Sequence, residues 1–324
     1  MKNVVIGIHG LGDKPPKDVL HAWWLQSIRE GAKRWNVDLD ELEFELVYWA
    51  PVLHPTPLDP EVSDQESPLY IAAPYVPSMR AVPPSTHNLR KRIAEFLEEK
   101  FSKIILNDDF SINYQSVTDN LIRRYFKDLD AYYSPAGDLV GVAHATRDAI
   151  RNHLVAVLEK HKGDRILLIA HSMGSIVAFD VLDMNPSLHV DTLITMGSPL
   201  GFPVVVGRIA AERSGTTSQA RTLHVPESIT NAWYNLADVE DYVAFDSNIA
   251  DEFTANIAGV RPVDIQVTND YAYRRHRNPH KIYGYLRTKE LAELVGEFAE
   301  TRDESWLHQT KCRLKELLVG RNAA

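Results

Sequence analysis

A mostly parallel β-sheet covered by helices on both faces is the fold class that this 324-residue sequence predicts. Three observations carry the expectation. Short, β-branched apolar runs bounded by turn residues recur along the chain. Helix-period segments lie between several of them. Neither a fixed-period repeat nor a set of paired cysteines offers another way to organise a core.

The strand-like runs fall at 4–8, 44–49, 166–170, 192–196, 232–236 and 264–267. They are short and mostly apolar, as strands buried on both faces are, although Glu45, Asn235, Asp264 and Gln266 interrupt three of them. Helical spacing is clear over 148–160, where Ile150, Leu154, Val157 and Leu158 share one face, and again over 175–182. The interval from about 51 to 143 breaks the rhythm. It opens with Pro51, Pro55, Pro57, Pro60, Pro68, Pro74, Pro77, Pro83 and Pro84, which cannot donate to a ladder. Within it, Leu89, Ile93, Phe96, Leu97, Phe101 and Ile104 follow helical spacing after the cap candidates Ser85 and Thr86, and a second helix is predicted over 117–129. The chain therefore reads as a single domain over 1–324 with an insertion at 51–143 acting as a cap. One or two helices are predicted for the tail, 289–318.

Composition narrows the function. With 35 Lys and Arg against 44 Asp and Glu, the formal charge of −9 repels phosphate backbones and anionic surfaces, which argues against a nucleic-acid partner. Fractions of 44% hydrophobic and 24% charged residues suit a globular core rather than disorder. Cys312 is alone, so no intrachain disulfide forms and no cysteine cluster holds zinc. The apolar stretch at 4–8 is too short for a signal or an integral membrane segment, and the expected location is cytoplasmic.

Chemistry concentrates in Arg165-Ile166-Leu167-Leu168-Ile169-Ala170-His171-Ser172-Met173-Gly174-Ser175. A buried strand ends, small residues flank a serine, and a helix begins. Such a turn points the serine Oγ out of the sheet, while the helix N-terminus directs N–H groups toward a developing oxyanion. Ala170 and Gly174 are small enough for the strand end and helix start to touch.

Ala-His-Ser-Met-Gly resembles the nucleophile elbow of the α/β-hydrolase superfamily, of lipase and esterase type, with Ala170 in place of the first glycine of G-x-S-x-G. The resemblance implies an oxyanion loop after an early strand. Ile8-His9-Gly10-Leu11-Gly12 resembles the His-Gly loop of lipases, so the backbone N–H groups of Leu11 and Met173 are the implied oxyanion hole. His9 reads as a histidine that orders this loop.

The resemblance also implies an acid and then a histidine after Ser172. Asp241, two residues before Val243, is the preferred acid in the loop after 232–236, ahead of Asp238 and then Glu240. His280 is the implied base, since imidazole takes and returns a proton near neutral pH. Its competitor His276 lies among Arg274, Arg275 and Arg277, whose charges oppose the imidazolium that a base must become. That basic cluster reads as a solvated loop paired with acids. No His-Glu-x-x-His spacing or comparable ligand pair is found, so no metal is expected, and no cofactor is implied.

The implied activity is that of a serine hydrolase acting on a small-molecule acyl substrate. Sequence leaves open a thioesterase or amidase, a non-catalytic ligand- or partner-binding protein on the same fold, and the oligomeric state. Tyr70 and Tyr75 are candidates for an apolar wall over Ser172.

Overall fold

The computed structural model describes residues 1–78, 105–106, 112–113, 132–133, 140–214, 223–244 and 248–300. Six strands, β1 (Asn3–Ile8), β2 (Glu43–Val47), β3 (Arg165–His171), β4 (Val190–Met196), β5 (Ile229–Asp238) and β6 (Pro262–Val267), form one sheet. All neighbours are parallel, in the order β6-β5-β4-β3-β1-β2. Each predicted run overlaps one of these strands, with ends shifted by no more than three residues, and the run at 44–49 continues two residues past β2.

Successive residues serve opposite faces, which is why the central runs are apolar on both. Val4, Ile6 and Ile8 of β1, with Ile166, Leu168 and Ala170 of β3, enter one core. Val5, Leu167 and Ile169 enter the other. The first core is closed by α2 (Val140–Lys160), through Ile150, Leu154 and Leu158, and by α3 (Met173–Met184). On the second face lie α1 (Lys17–Arg34) and the C-terminal pair α5 (Ile282–Tyr285) and α6 (Lys289–Glu300), while α4 (Pro203–Ser214) follows β4. Truncating a fully buried leucine such as Leu168 to alanine costs about 2–5 kcal/mol in such a core.

Helix α1 is not among the helices that the sequence reading anticipated. Leu20, Trp24 and Ile28 recur every four residues and are buried, and Trp24 lies over β1 at Gly7, where a Cβ would come within 2.8 Å of the indole. Large apolar residues mark only one row of the buried face, which Ser27, Gly31 and Ala32 complete, so hydrophobic spacing marks the helix weakly. The helices expected at 89–104 and 117–129, their caps Ser85 and Thr86, Cys312 and the tail beyond Glu300 lie outside the described residues. Among the described residues no helix is long and apolar enough to cross a membrane.

Strand order positions the site. The chain leaves β1 for β2 on one side and later returns across β1 to β3 on the other, so the loops after β1 and β3 diverge at the carboxyl ends of adjacent strands. A crevice opens where they part.

Candidate active site

Ser172 follows β3 and precedes α3, with φ 55° and ψ −130°. A non-glycine residue in this region stores roughly 1–3 kcal/mol of strain, so the surroundings must hold it. Its N–H donates to the Met196 carbonyl at 3.0 Å, and its own carbonyl accepts the Ser175 N–H at 2.9 Å and the Ser175 hydroxyl at 2.5 Å. The Ser175 hydroxyl in turn meets that of Ser198 at 2.8 Å. Neighbouring backbones press in closely. A Cβ on Gly10 would come within 2.6 Å of Ser172 Cβ, and one on Gly174 within 2.7 Å of the Ile8 carbonyl oxygen. These two glycines let the loop after β1 and the start of α3 approach the serine.

Ser172 Oγ is 3.0 Å from His280 Nε2. His280 Nδ1 lies 3.0 and 2.9 Å from the two oxygens of Asp241, which is buried in the loop after β5. The same carboxylate accepts the Val243 N–H at 2.9 Å and the Tyr285 hydroxyl at 2.7 Å, which keep it aimed at the imidazole. The structure thus brings together Ser172, His280 and Asp241 from three loops at one end of the sheet.

Asp238 goes elsewhere. At the end of β5 it accepts the N–H groups of Asn269 and Glu240 at 2.6 and 2.8 Å and the Arg277 guanidinium at 2.9 Å. Arg277 also pairs with Glu240, so this member of the basic cluster is spent on acids of the loop. Burial raises the Asp238 carboxyl to about 6 despite that guanidinium. Desolvation outweighs the ion pair here because the carboxylate is almost wholly removed from water. His276 stands in a short hairpin, Ala272–Tyr273 paired with His276–Arg277, whose turn residues Arg274 and Arg275 both have positive φ.

Two further histidines order the site. His9 is buried. Its Nδ1–H donates to the Gly10 carbonyl at 2.8 Å, and its Nε2 accepts the Trp49 N–H at 3.1 Å, an arrangement that only the neutral ring satisfies. Burial, then the charge of Lys14, holds its pKa well below the ordinary value. His171 donates from Nε2 to the His280 carbonyl at 2.9 Å, its ring 4.8 Å from that of His280. Burial, then the charge of His280, holds its pKa well below the ordinary value, so it places no cation beside the His280 ring.

Leu11 lies in the loop after β1, and Met173 is the first residue of α3. Among the described residues neither backbone N–H has a hydrogen-bond acceptor. Ser172, Leu11 and His280 line a cavity of about 1040 Å³. Its walls come from α1 (Trp23, Trp24), from the proline-rich segment (Leu58, Leu69, Tyr70, Ile71) and from α5 (Ile282, Tyr283). Tyr70 is therefore a wall residue. Tyr75 is not: its hydroxyl donates to Glu30 at 3.2 Å and its ring packs edge-on against Tyr283 at 5.8 Å, supporting the wall from behind. Among the described residues no group of three or more His, Cys, Asp or Glu side chains is placed to hold a metal ion.

Tyr285, Asn269 and Lys281 belong to this neighbourhood and were not singled out in the sequence. Asn269 bonds the Lys281 carbonyl at 2.8 Å and the Tyr271 N–H at 3.0 Å, and Asn278 Oδ1 accepts the His280 N–H at 3.1 Å, so two asparagines fix the histidine loop. The only sequence signal for Tyr285 and Lys281 was their nearness to His280.

A parallel sheet flanked by helices, with a serine at the sharp turn after a central strand, defines an α/β-hydrolase. The PGAP1-like alpha/beta domain matches residues 80–280, more than half of the chain, and the protein belongs to that lipase/esterase-like family. No curated protein and no solved structure matches the chain.

Proposed function

We propose that the protein is a serine hydrolase that cleaves a carboxylic ester or related acyl bond of a small-molecule substrate through an acyl-enzyme on Ser172. One observation carries the reading: the unbroken hydrogen-bonded line from Ser172 Oγ through both ring nitrogens of His280 to Asp241. Ser172 attacks the acyl carbonyl while His280 Nε2 takes its proton, and Asp241 accepts from Nδ1–H and stabilises the imidazolium. The tetrahedral oxyanion lies between the Leu11 and Met173 N–H groups, the second reinforced by the N-terminus of α3. His280 then returns the proton to the leaving group, and water activated by the same nitrogen releases the acid.

We read the chain as one α/β-hydrolase domain with an insertion over 51–143. Support comes from the one six-stranded sheet and from the part of the insertion within 51–78 that lines the cavity.

The test is labelling by a fluorophosphonate with peptide mapping. Modification is expected at Ser172, and Ser172→Ala should abolish it and lower ester turnover by several orders of magnitude. Label on Ser175 or Ser198 with Ser172 unmodified overturns the assignment.

A further inference from the structure

The cavity beside Ser172 is mostly apolar, yet Lys281 lines it, one residue after His280. Its ammonium lies 5.2 Å from the centre of the Tyr283 ring. Among the described residues it has no hydrogen-bond or ion-pair partner. Asp13 is the sole carboxylate among the described lining residues, and it faces His54 at 2.8 Å. The other lining lysine, Lys14, donates to the carbonyls of Leu11 and Gly12.

Lys281 is also held in place. Its carbonyl is bonded by Asn269 and its N–H by the Asn278 carbonyl at 3.1 Å, contacts belonging to the set that fixes His280. A lysine stem that serves only as wall normally carries its charge out to water or to an acid. This one brings a cation to the mostly apolar cavity that Ser172 also lines. Burial lowers the ammonium to about 8, so it is still largely charged at neutral pH.

We infer that Lys281 is an anion-recognition residue, and that the acyl substrate carries a single carboxylate or phosphate outside the reacting bond, with its apolar remainder along the Trp23, Leu69 and Tyr283 walls. The substrate half of this inference rests on the acyl-hydrolase reading; the anion site does not. An ammonium in a poorly hydrated pocket discriminates an anion from a neutral isostere by about tenfold or more.

Two measurements decide it. In the first, wild type, Lys281→Met and Lys281→Arg are assayed on 4-nitrophenyl butyrate, mono-4-nitrophenyl glutarate and 1-butyrylglycerol 3-phosphate. The second and third place the charge on the acyl and alcohol sides respectively. Within each protein the ratio of kcat/KM on the better anionic ester to that on the neutral one is compared. The ratio should fall at least tenfold in Lys281→Met, through KM, and survive in Lys281→Arg. In the second, octanoate and octan-1-ol are titrated against the fluorescence of Trp23 and Trp24, which line the cavity. Octanoate should bind wild type at least tenfold more tightly than the alcohol, and Lys281→Met should lose that margin. An unchanged ratio in folded Lys281→Met, or equal binding of acid and alcohol to wild type, overturns the anion site. If wild type neither turns over an ester nor takes up a fluorophosphonate, the hydrolase reading fails, and the fluorescence titration still decides whether Lys281 binds anions.

Discussion

At the residue scale, two aspartates three positions apart have different work. Asp241 bonds both His280 and Tyr285, whereas Asp238 holds Arg277 and two loop N–H groups. Asp241→Asn should lower kcat by about 10³–10⁴, because the amide favours the wrong imidazole tautomer. Asp238→Asn turns an NH₂ toward donors, so its loss should appear in the thermal midpoint, with kcat at 25 °C within about tenfold of wild type. Steady-state kinetics beside thermal denaturation separates the two, and the opposite pattern would exchange their roles. Tyr285 is a positioning residue: its hydroxyl donates to Asp241 and accepts the Asp238 N–H at 3.0 Å. Tyr285→Phe should lower kcat about tenfold with KM little changed, and should cost about 1–3 kcal/mol of stability for the stranded N–H. Lost stability with kcat intact would leave Tyr285 a purely structural contact. Ser172, His280 and the loop holding Asp241, which the structure brings together, stand out in the sequence because each sits in a short local pattern. The choice between Asp241 and Asp238 rested on register alone, and Tyr285, Asn269 and Lys281 act through contacts that no local pattern records.

Among the elements, strands were the most legible and α1 the least. A strand buried on both faces is a dense apolar run, visible within five or six residues, whereas α1 shows the core a single stripe through Leu20, Trp24 and Ile28. Tyr75 departs from the expected wall for a related reason: an aromatic in a proline-rich segment shows nothing of which side it faces, and this one faces Tyr283 and Glu30 rather than the cavity. The end of β5 carries a pH signature. With its carboxyl raised from 3.8 to about 6, Asp238 takes up a proton in the folded protein at a pH where the unfolded chain does not. Its contribution to stability is therefore fully present below about 4 and is lost as the pH rises through 6, with a slope of at most about 1.4 kcal/mol per pH unit. Urea denaturation at pH 4, 5 and 6 should show wild type losing stability relative to Asp238→Asn across that window. Parallel curves would mean that the group titrates alike in both states.

For the whole molecule, one buried cation ties distant parts together. The Arg287 guanidinium, 1% exposed, bonds Asp270 at 3.0 Å, Glu30 of α1 at 3.1 Å and the Val76 carbonyl at 2.7 Å. Arg34 of α1 also reaches Asp270, at 2.7 Å. Arg287→Met leaves two carboxylates facing a gap and should cost about 3–5 kcal/mol in urea denaturation, with the cavity wall near Tyr75 loosened. A loss below 1 kcal/mol would mean that Arg34 alone suffices for the acids. The sheet order has a consequence in time as well. β1 precedes the other strands of its sheet in the chain, but it pairs on one side with β3, and Asn3 bonds the Phe298 and Ala299 carbonyls across 295 and 296 residues. The loop bearing Leu11 is thus synthesised early and completed late, after the chain has delivered Ser172, Asp241 and His280 in turn. Contacts of such long sequence separation close slowly. On refolding, helical signal should therefore return ahead of fluorophosphonate labelling at Ser172, which would make the serine a reporter of the last stage of folding rather than of the first; labelling that returns with the helical signal would mean that the site closes early.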